Sequence, residues 1–200
     1  MDKLIAALQD FAAASKAEFN RIDGLQGDGD LGITLELMVE ALTEAARETT
    51  DLKQWLLFSG TKVRKKAPST MGTLVSFALT AAGRSLPEAA VPDGEAFRQI
   101  QSVMIEEIKK RGGADSGDRT ILDAFIPAAA AYSEAIENGG TTWEALDKAA
   151  AAAWAGAEAT KAMAPKTGRA RWLGDRALGE IDGGALLCAE IYRVLREIYG

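Results

Sequence analysis

The sequence predicts an all-α fold, an eight-helix antiparallel bundle, from three observations. Apolar residues recur at three- and four-residue spacing in segment after segment. No stretch alternates apolar and polar residues with β-branched enrichment, so no strand is expected. The connections near 49–51 and 138–141 are short, as antiparallel neighbours require.

Leu4, Ile5, Leu8, Phe11 and Ala12 share one face of a first helix expected near 3–22. Leu35, Met38, Val39, Leu42, Ala45 and Ala46 do the same near 33–48, and a third helix is expected near 51–66. Leu74, Val75, Ala78, Leu79 and Ala82 mark a fourth near 70–85; Phe97, Ile100, Met104 and Ile108 mark a fifth near 94–111. A sixth, near 118–137, contains Pro127, which should kink or interrupt it. Thr141 followed by Glu144 forms a capping-box pattern that opens a seventh helix near 142–164, with Trp143, Leu146 and Ala150 on it. Its alanine-rich run 149–157 suits close packing, and an eighth helix is expected near 183–199.

With 48% hydrophobic residues, 200 residues can bury one core, and a single domain over 1–200 is expected. The formal charge of −6 argues against a nucleic-acid surface, although Lys62, Arg64, Lys65 and Lys66 form a local basic patch. Cys188 is the only cysteine; it lies in an apolar helical stretch and should be a small buried hydrophobe. No apolar run is long enough to span a membrane and no secretory leader pattern is visible, so a soluble cytoplasmic protein is expected. Histidine is absent, which removes the usual general base and the commonest transition-metal ligand.

The odd-numbered connections carry the unusual chemistry. The first, 23–32, is rich in Asp and Gly; the third, 67–73, contains Pro68, Ser69, Thr70, Met71, Gly72 and Thr73; the fifth covers 111–118; the seventh covers 165–184. In an up-and-down bundle these four would share one end with the N-termini of helices two, four, six and eight. Free amides and positive dipole ends there favour an anion.

Asp23, Asp28 and Asp30 are the sharpest feature. Two carboxylates about 4 Å apart at an effective dielectric of about 20 repel by roughly 4 kcal/mol, so three within eight residues invite a cation. All-oxygen ligands suit a hard ion such as Mg²⁺, and Gly27, Gly29 and Gly32 let the backbone coil tightly. A solvated Asp/Gly turn or a Ca²⁺ loop is the alternative, although the glutamate that an EF-hand needs is missing. Ser69, Thr70, Gly72 and Thr73 fit an ordinary helix cap, or else a phosphate cradle. Gly117-Asp118-Arg119-Thr120 with Asp123 fits a capped helix with ordinary charge pairing. Arg169 and Arg171 fit solvated loop charges, and Trp172 would pack beside a site or cover the core.

These residues together resemble the L subunit of dihydroxyacetone kinase, the counterpart of the C-terminal nucleotide-binding domain of single-chain, ATP-dependent kinases. Four ordered motifs over nearly the whole chain carry the resemblance. They are Asp23 with Gly27-Asp28-Gly29-Asp30-x-Gly32; Met71-Gly72-Thr73-Leu74; Gly117-Asp118-Arg119-Thr120-Ile121-Leu122-Asp123; and Gly168-Arg169-Ala170 with Leu173-Gly174-Asp175-Arg176, Gly179 and Asp182-x-Gly184-Ala185. The resemblance implies an eight-helix antiparallel barrel with ATP or ADP at one end. It implies two Mg²⁺ ions held by Asp23, Asp28 and Asp30, with Arg169 joining them in catalysis. It also implies a nucleotide lined by Leu31, Gly32, Ile33, Thr34, Met71, Gly72, Gly112, Ile121, Arg169, Asp182, Gly183 and Gly184. The implied activity is transfer of phosphate to a small ketose held by a separate K-type subunit. Alternatives are an ADP cofactor recharged by a phosphoryl carrier protein, and a non-catalytic nucleotide-binding module. Leu31, Met71, Glu180 and Gly183 depart from the family pattern; Leu31 favours direct use of ATP.

Overall fold

The computed structural model describes residues 1–199; the side chain of Arg169 and all of Gly200 lie outside the described residues. Eight α-helices and two 3-10 segments follow in order, with no strand among the described residues. The helices are α1 (Asp2–Gly24), α2 (Leu31–Glu48), α3 (Leu52–Lys66), α4 (Thr70–Ser85), α5 (Gly94–Gly112), α6 (Leu122–Glu137), α7 (Thr142–Ala159) and α8 (Gly183–Tyr199). The all-α expectation holds. The residues divide into two compact units, 1–16 with 32–112, and 17–31 with 113–200.

In the first unit, Ile5, Leu8, Phe11 and Ala12 of α1 and Leu35, Met38, Val39 and Ala45 of α2 are buried, the faces that the periodicity marked. Asp51 caps α3 by accepting the Gln54 N–H at 2.8 Å, and Trp55 donates its indole N–H to the Leu42 carbonyl of α2. Lys62 and Lys66 of α3 pair with Glu40, Glu44 and Glu48 of α2. The helices α3, α4 and α5 are consecutive neighbours. Gly60 and Gly83 set the α3–α4 distance, because a Cβ on either would run into Thr80 or Leu57.

In the second unit, α6, α7 and α8 pack on one another. The capping box at Thr141 and Glu144 forms as expected. Ala145, Ala149, Ala153 and Ala157, spaced by four, are all fully buried. This small-residue stripe lets α7 approach α6 until a Cβ on Gly156 would overlap the Asp123 carbonyl oxygen. That oxygen is the one left without an i+4 amide by Pro127. The expected interruption at Pro127 does not occur; α6 is continuous through it. Cys188 is buried, and burial pushes its thiol far above the ordinary range, as suits an inert hydrophobe. Trp143 does not share the buried face of Leu146; it is exposed.

Two expected boundaries need correction. The sixth helix starts at Leu122, not near 118, because the Asp123 carboxylate accepts the N–H groups of Gly117 and Thr120 and curls the chain ahead of it. Gly117 and Arg119 there have φ of 85° and 61°, which no helix contains. The seventh helix stops at Ala159 and tightens into a 3-10 turn at Thr160–Ala162, where the Thr160 hydroxyl donates to Ala157 O at 2.5 Å.

The Gly156→Ala variant should lose about 1–3 kcal/mol of stability by overpacking the α6–α7 contact. Urea denaturation checks this; a midpoint within error of the parent would contradict the close approach.

Candidate functional site

The acidic loop joins α1 to α2. Its first carboxylate, Asp23, sits in the last turn of α1, where helix carbonyls already concentrate negative charge. The amides of Gln26 and Gly27 both donate to the Asp23 carbonyl, at 2.9 and 2.5 Å. Gly29, with φ of 76°, then turns the chain back so that its own N–H and that of Asp30 donate to Asp23 Oδ2, at 2.8 and 3.0 Å. One oxygen of Asp23 is thereby fixed by two amides. A Cβ on Gly27 would stand 2.8 Å from the other, Oδ1, so glycine keeps that flank clear.

The result is a cluster in which Asp23, Asp28 and Asp30 each place one carboxylate oxygen within 4.8 Å of the others. Asp28 is exposed and its two companions are half-buried. Arg21 does not neutralise them: it is bonded through two nitrogens to Glu18. Three hard oxygen donors at a helix C-terminus fit Mg²⁺ in ligand type and number, with room for water or phosphate to complete the shell.

The same unit brings two further connections to this loop and to each other. Gln26 donates its side-chain amide to Ile181 O at 2.8 Å, and Leu31 is buried so closely on Gly183 that a Cβ there would sit 2.9 Å from its Cδ2. Lys166 bonds to the carbonyl and the carboxylate of Asp118. Asp118 is held below the ordinary carboxylate range by the Asp115 N–H first and by Lys166 second. Asp182 opens α8: its carboxylate accepts the Ala185 N–H at 2.8 Å, and its own N–H donates to Thr160 Oγ1 at 2.9 Å.

Arg119 is the residue that this part of the chain closes on. It is 2% exposed and meets no carboxylate directly. Its guanidinium donates to the carbonyls of Thr160 at 3.2 Å and of Ala177 and Glu180 at 2.9 Å each, while Nη1 has no partner. Burial draws its pKa down, and the charges of Asp182 and Glu180 oppose that shift. Asp182 is pushed up to about 6, chiefly by withdrawal from water; the Ala185 N–H and the Arg119 charge resist, and the Asp123 charge adds to the rise.

A sequence model described as the DAK2 domain matches residues 26–197, nearly the full chain. The chain belongs to the DAK2 domain family. An L-erythrulose kinase of Pectobacterium atrosepticum is 34% identical over 92% of this chain and 32% of the relative. An L-erythrulose 1-kinase of Mycolicibacterium smegmatis is 33% identical over 97% and 35%, and the triokinase/FMN cyclase of Mus musculus is 31% identical over 90% and 31%. The dihydroxyacetone kinase of C. freundii superposes with a TM-score of 0.75 at 26% identity, over 97% of the domain and 33% of that chain. Its complex with AMP-PNP and Mg²⁺ gives 0.73 at 29%, over 98% and 32%. The chain thus spans about a third of the length of each of these relatives.

Other expected site residues of the DAK2 domain fall as follows. Ser69 caps α4 by accepting the Gly72 N–H at 3.0 Å, and its hydroxyl oxygen also accepts the Thr34 hydroxyl at 3.1 Å. Gly72 is buried against Ala67, with no space for a side chain. Since Thr73 donates to Ser69 O, helix geometry leaves the Thr70 and Met71 amides as the open donors of that turn. Gly32 lies in the first turn of α2, Ile33 is exposed, Gly112 ends α5, Ile121 precedes α6, and Gly184 lies in the first turn of α8. The Arg169 side chain lies outside the described residues; its backbone opens the 3-10 segment Arg169–Ala177. Trp172 does not cover the core, being 82% exposed.

Arg119 is what the sequence reading missed as a structural centre. A buried cation without a carboxylate has no local signature, and its positive φ is unusual for arginine. The signal available was its place between Asp118 and Asp123 in an ordered motif.

Arg119→Met should cost about 2–4 kcal/mol by stranding three buried carbonyls. Hydrogen exchange should then accelerate at the Gly179 and Asp182 amides and stay unchanged at the middle of α7; uniform acceleration would contradict the local brace. Asp182 adds a pH signature. Its pKa is raised in the folded state, so its contribution is most favourable below about pH 4 and is lost as pH rises through about 6. The total change is at most about 3 kcal/mol. Urea unfolding between pH 4 and 7.5 should show Asp182→Asn removing that decline.

Proposed function

We propose that this DAK2 domain binds Mg²⁺-ATP or Mg²⁺-ADP and is the phosphoryl-transferring part of a small-ketose kinase. The observation that carries the proposal is the cluster of Asp23, Asp28 and Asp30, three carboxylates within 4.8 Å at the C-terminal end of α1. A cation relieves the repulsion within such a cluster, and the C. freundii relative was crystallised in complex with AMP-PNP and Mg²⁺. Two ions are proposed, following the family resemblance.

In the bound state the ions supply charge neutralisation on the phosphate oxygens. Asp23, pinned by the Gly29 and Asp30 amides, fixes the cluster's geometry before the ions arrive. Following the family resemblance, Leu31, Ile121 and Asp182 to Gly184 are proposed to line the nucleotide, and Arg169 to offer a cation to the transferring group. The acceptor is proposed to be a small ketose, since the similar proteins are named erythrulose kinases and triokinase. Those relatives are about three times as long, so the ketose is assigned to a K-type partner outside these 200 residues. No described helix is long and apolar enough to cross a membrane.

Trp172 provides the readout, because an indole that is 82% exposed changes its emission when covered or desolvated. ADP should shift that emission and release heat in calorimetry only when Mg²⁺ is present. Asp28→Asn, at the exposed corner of the cluster, should weaken binding by roughly 100-fold without changing stability at neutral pH. ADP binding that is equally tight in excess chelator would refute the proposal.

A further inference from the structure

A second charged site lies in the first unit, formed by α3, α4 and α5 and sharing no residue with the acidic loop. It is a half-open groove of about 670 Å³, within the size range of small-ligand sites. Its cations are Arg64, Arg84, Lys110 and Arg111, with Glu107 as the only acidic lining residue. Glu107 is already taken by Arg111 at 2.7 Å. Among the described residues Arg64, Arg84 and Lys110 form no ion pair. On a chain of net charge −6 this is a local reversal of sign.

The arginines are also held in place. The guanidinium of Arg64 lies 4.4 Å from the centre of the Phe77 ring and that of Arg111 lies 3.8 Å from it. Two like charges are thus fixed within about 8 Å of one another against one ring, a repulsion that an anion bound at their free edges relieves. A guanidinium stacked on a ring keeps its edge free for bidentate bonding to a phosphate or carboxylate.

The hydroxyls of the groove add a second requirement. Thr61 donates to Leu57 O, Thr80 to Ser76 O and Ser85 to Ala82 O, each to its own helix. Their protons are used, so what they offer a ligand is lone pairs. A phosphate ester with free hydroxyls carries donors for them at a distance from its phosphate, which inorganic phosphate lacks. Arg84 lies two helical turns from Phe77 on α4, roughly 10 Å along the axis, so the groove suits an elongated molecule.

We propose that this groove binds a small phosphorylated polyol, with phosphate at Arg64 and Arg111 and hydroxyls donated to Thr61, Thr80 and Ser85. The site is independent of the proposed Mg²⁺-nucleotide site.

The probe is glycerol 3-phosphate, titrated calorimetrically into the whole chain without Mg²⁺, with inorganic phosphate and glycerol as controls. Saturable binding is expected, on the order of tenfold tighter than inorganic phosphate, with none for glycerol. Arg64→Gln and Arg84→Gln, both at exposed positions, should each weaken it by about tenfold. Asp28→Asn should leave it unchanged, while Arg64→Gln should leave Mg²⁺-dependent ADP binding unchanged. The proposal is overturned by absence of saturable binding at millimolar concentration, by equal affinity for inorganic phosphate, or by indifference to both arginine substitutions. Loss on Asp28→Asn would also overturn it, by assigning the ligand to the acidic loop. Failure of ADP binding alone would remove the nucleotide reading and leave this one standing.

Discussion

Arg119 gives its buried charge to three backbone carbonyls, those of Thr160, Ala177 and Glu180, and the loops of the second unit depend on that choice. A carboxylate partner would have satisfied one cation with one side chain. Carbonyls from three places instead join the end of α7, the 3-10 segment and the approach to α8. Asp123 makes this possible from below, because its carboxylate gathers the Gly117 and Thr120 amides and forces the left-handed backbone at Arg119. The energetic reason for persistence is asymmetric. A buried guanidinium with most of its donors paired contributes modestly, but removing it strands several polar atoms together.

That brace has a consequence for the acidic loop. The segment that Arg119 holds leads into Ile181, whose carbonyl accepts from Gln26, and into Asp182, which caps α8. The loop bearing Asp23, Asp28 and Asp30 is therefore tied to a segment fixed by a buried ion, while its own amides pin Asp23. Preorganisation of this kind matters because repulsion would otherwise spread the carboxylates apart. The glycines serve it differently: Gly29 supplies the positive φ, and Gly27 supplies the empty flank.

Charge in this protein is sorted by element rather than by composition. The basic run of α3 divides by helical face. Lys62 and Lys66 are taken up by the glutamates of α2, whereas Arg64, on another face, lies on Phe77. Such partly exposed pairs contribute little stability. They do determine which cations remain available, and an average of −6 conceals a groove of opposite sign.

The sequence by itself determined the eight helices, most of their buried faces, the Thr141 capping box and the burial of Cys188. Each follows from local spacing, and 3.6-residue periodicity is readable without knowing any neighbour. It also marked Asp23, Asp28 and Asp30 as a candidate cluster, since three carboxylates fall within eight residues; that they converge follows from the Gly29 turn. Tertiary structure alone decided the continuity of α6 through Pro127, where Gly156 lets α7 close over the carbonyl that Pro127 leaves without its i+4 amide. It decided the start of α6 at Leu122, because Asp123 captures amides ahead of itself. It decided the role of Arg119, whose partners lie about 40 to 60 residues away, and the separation of Arg64 from its lysine neighbours. Spacing along a chain fixes which face a residue occupies; what waits on that face depends on chain folded in from elsewhere.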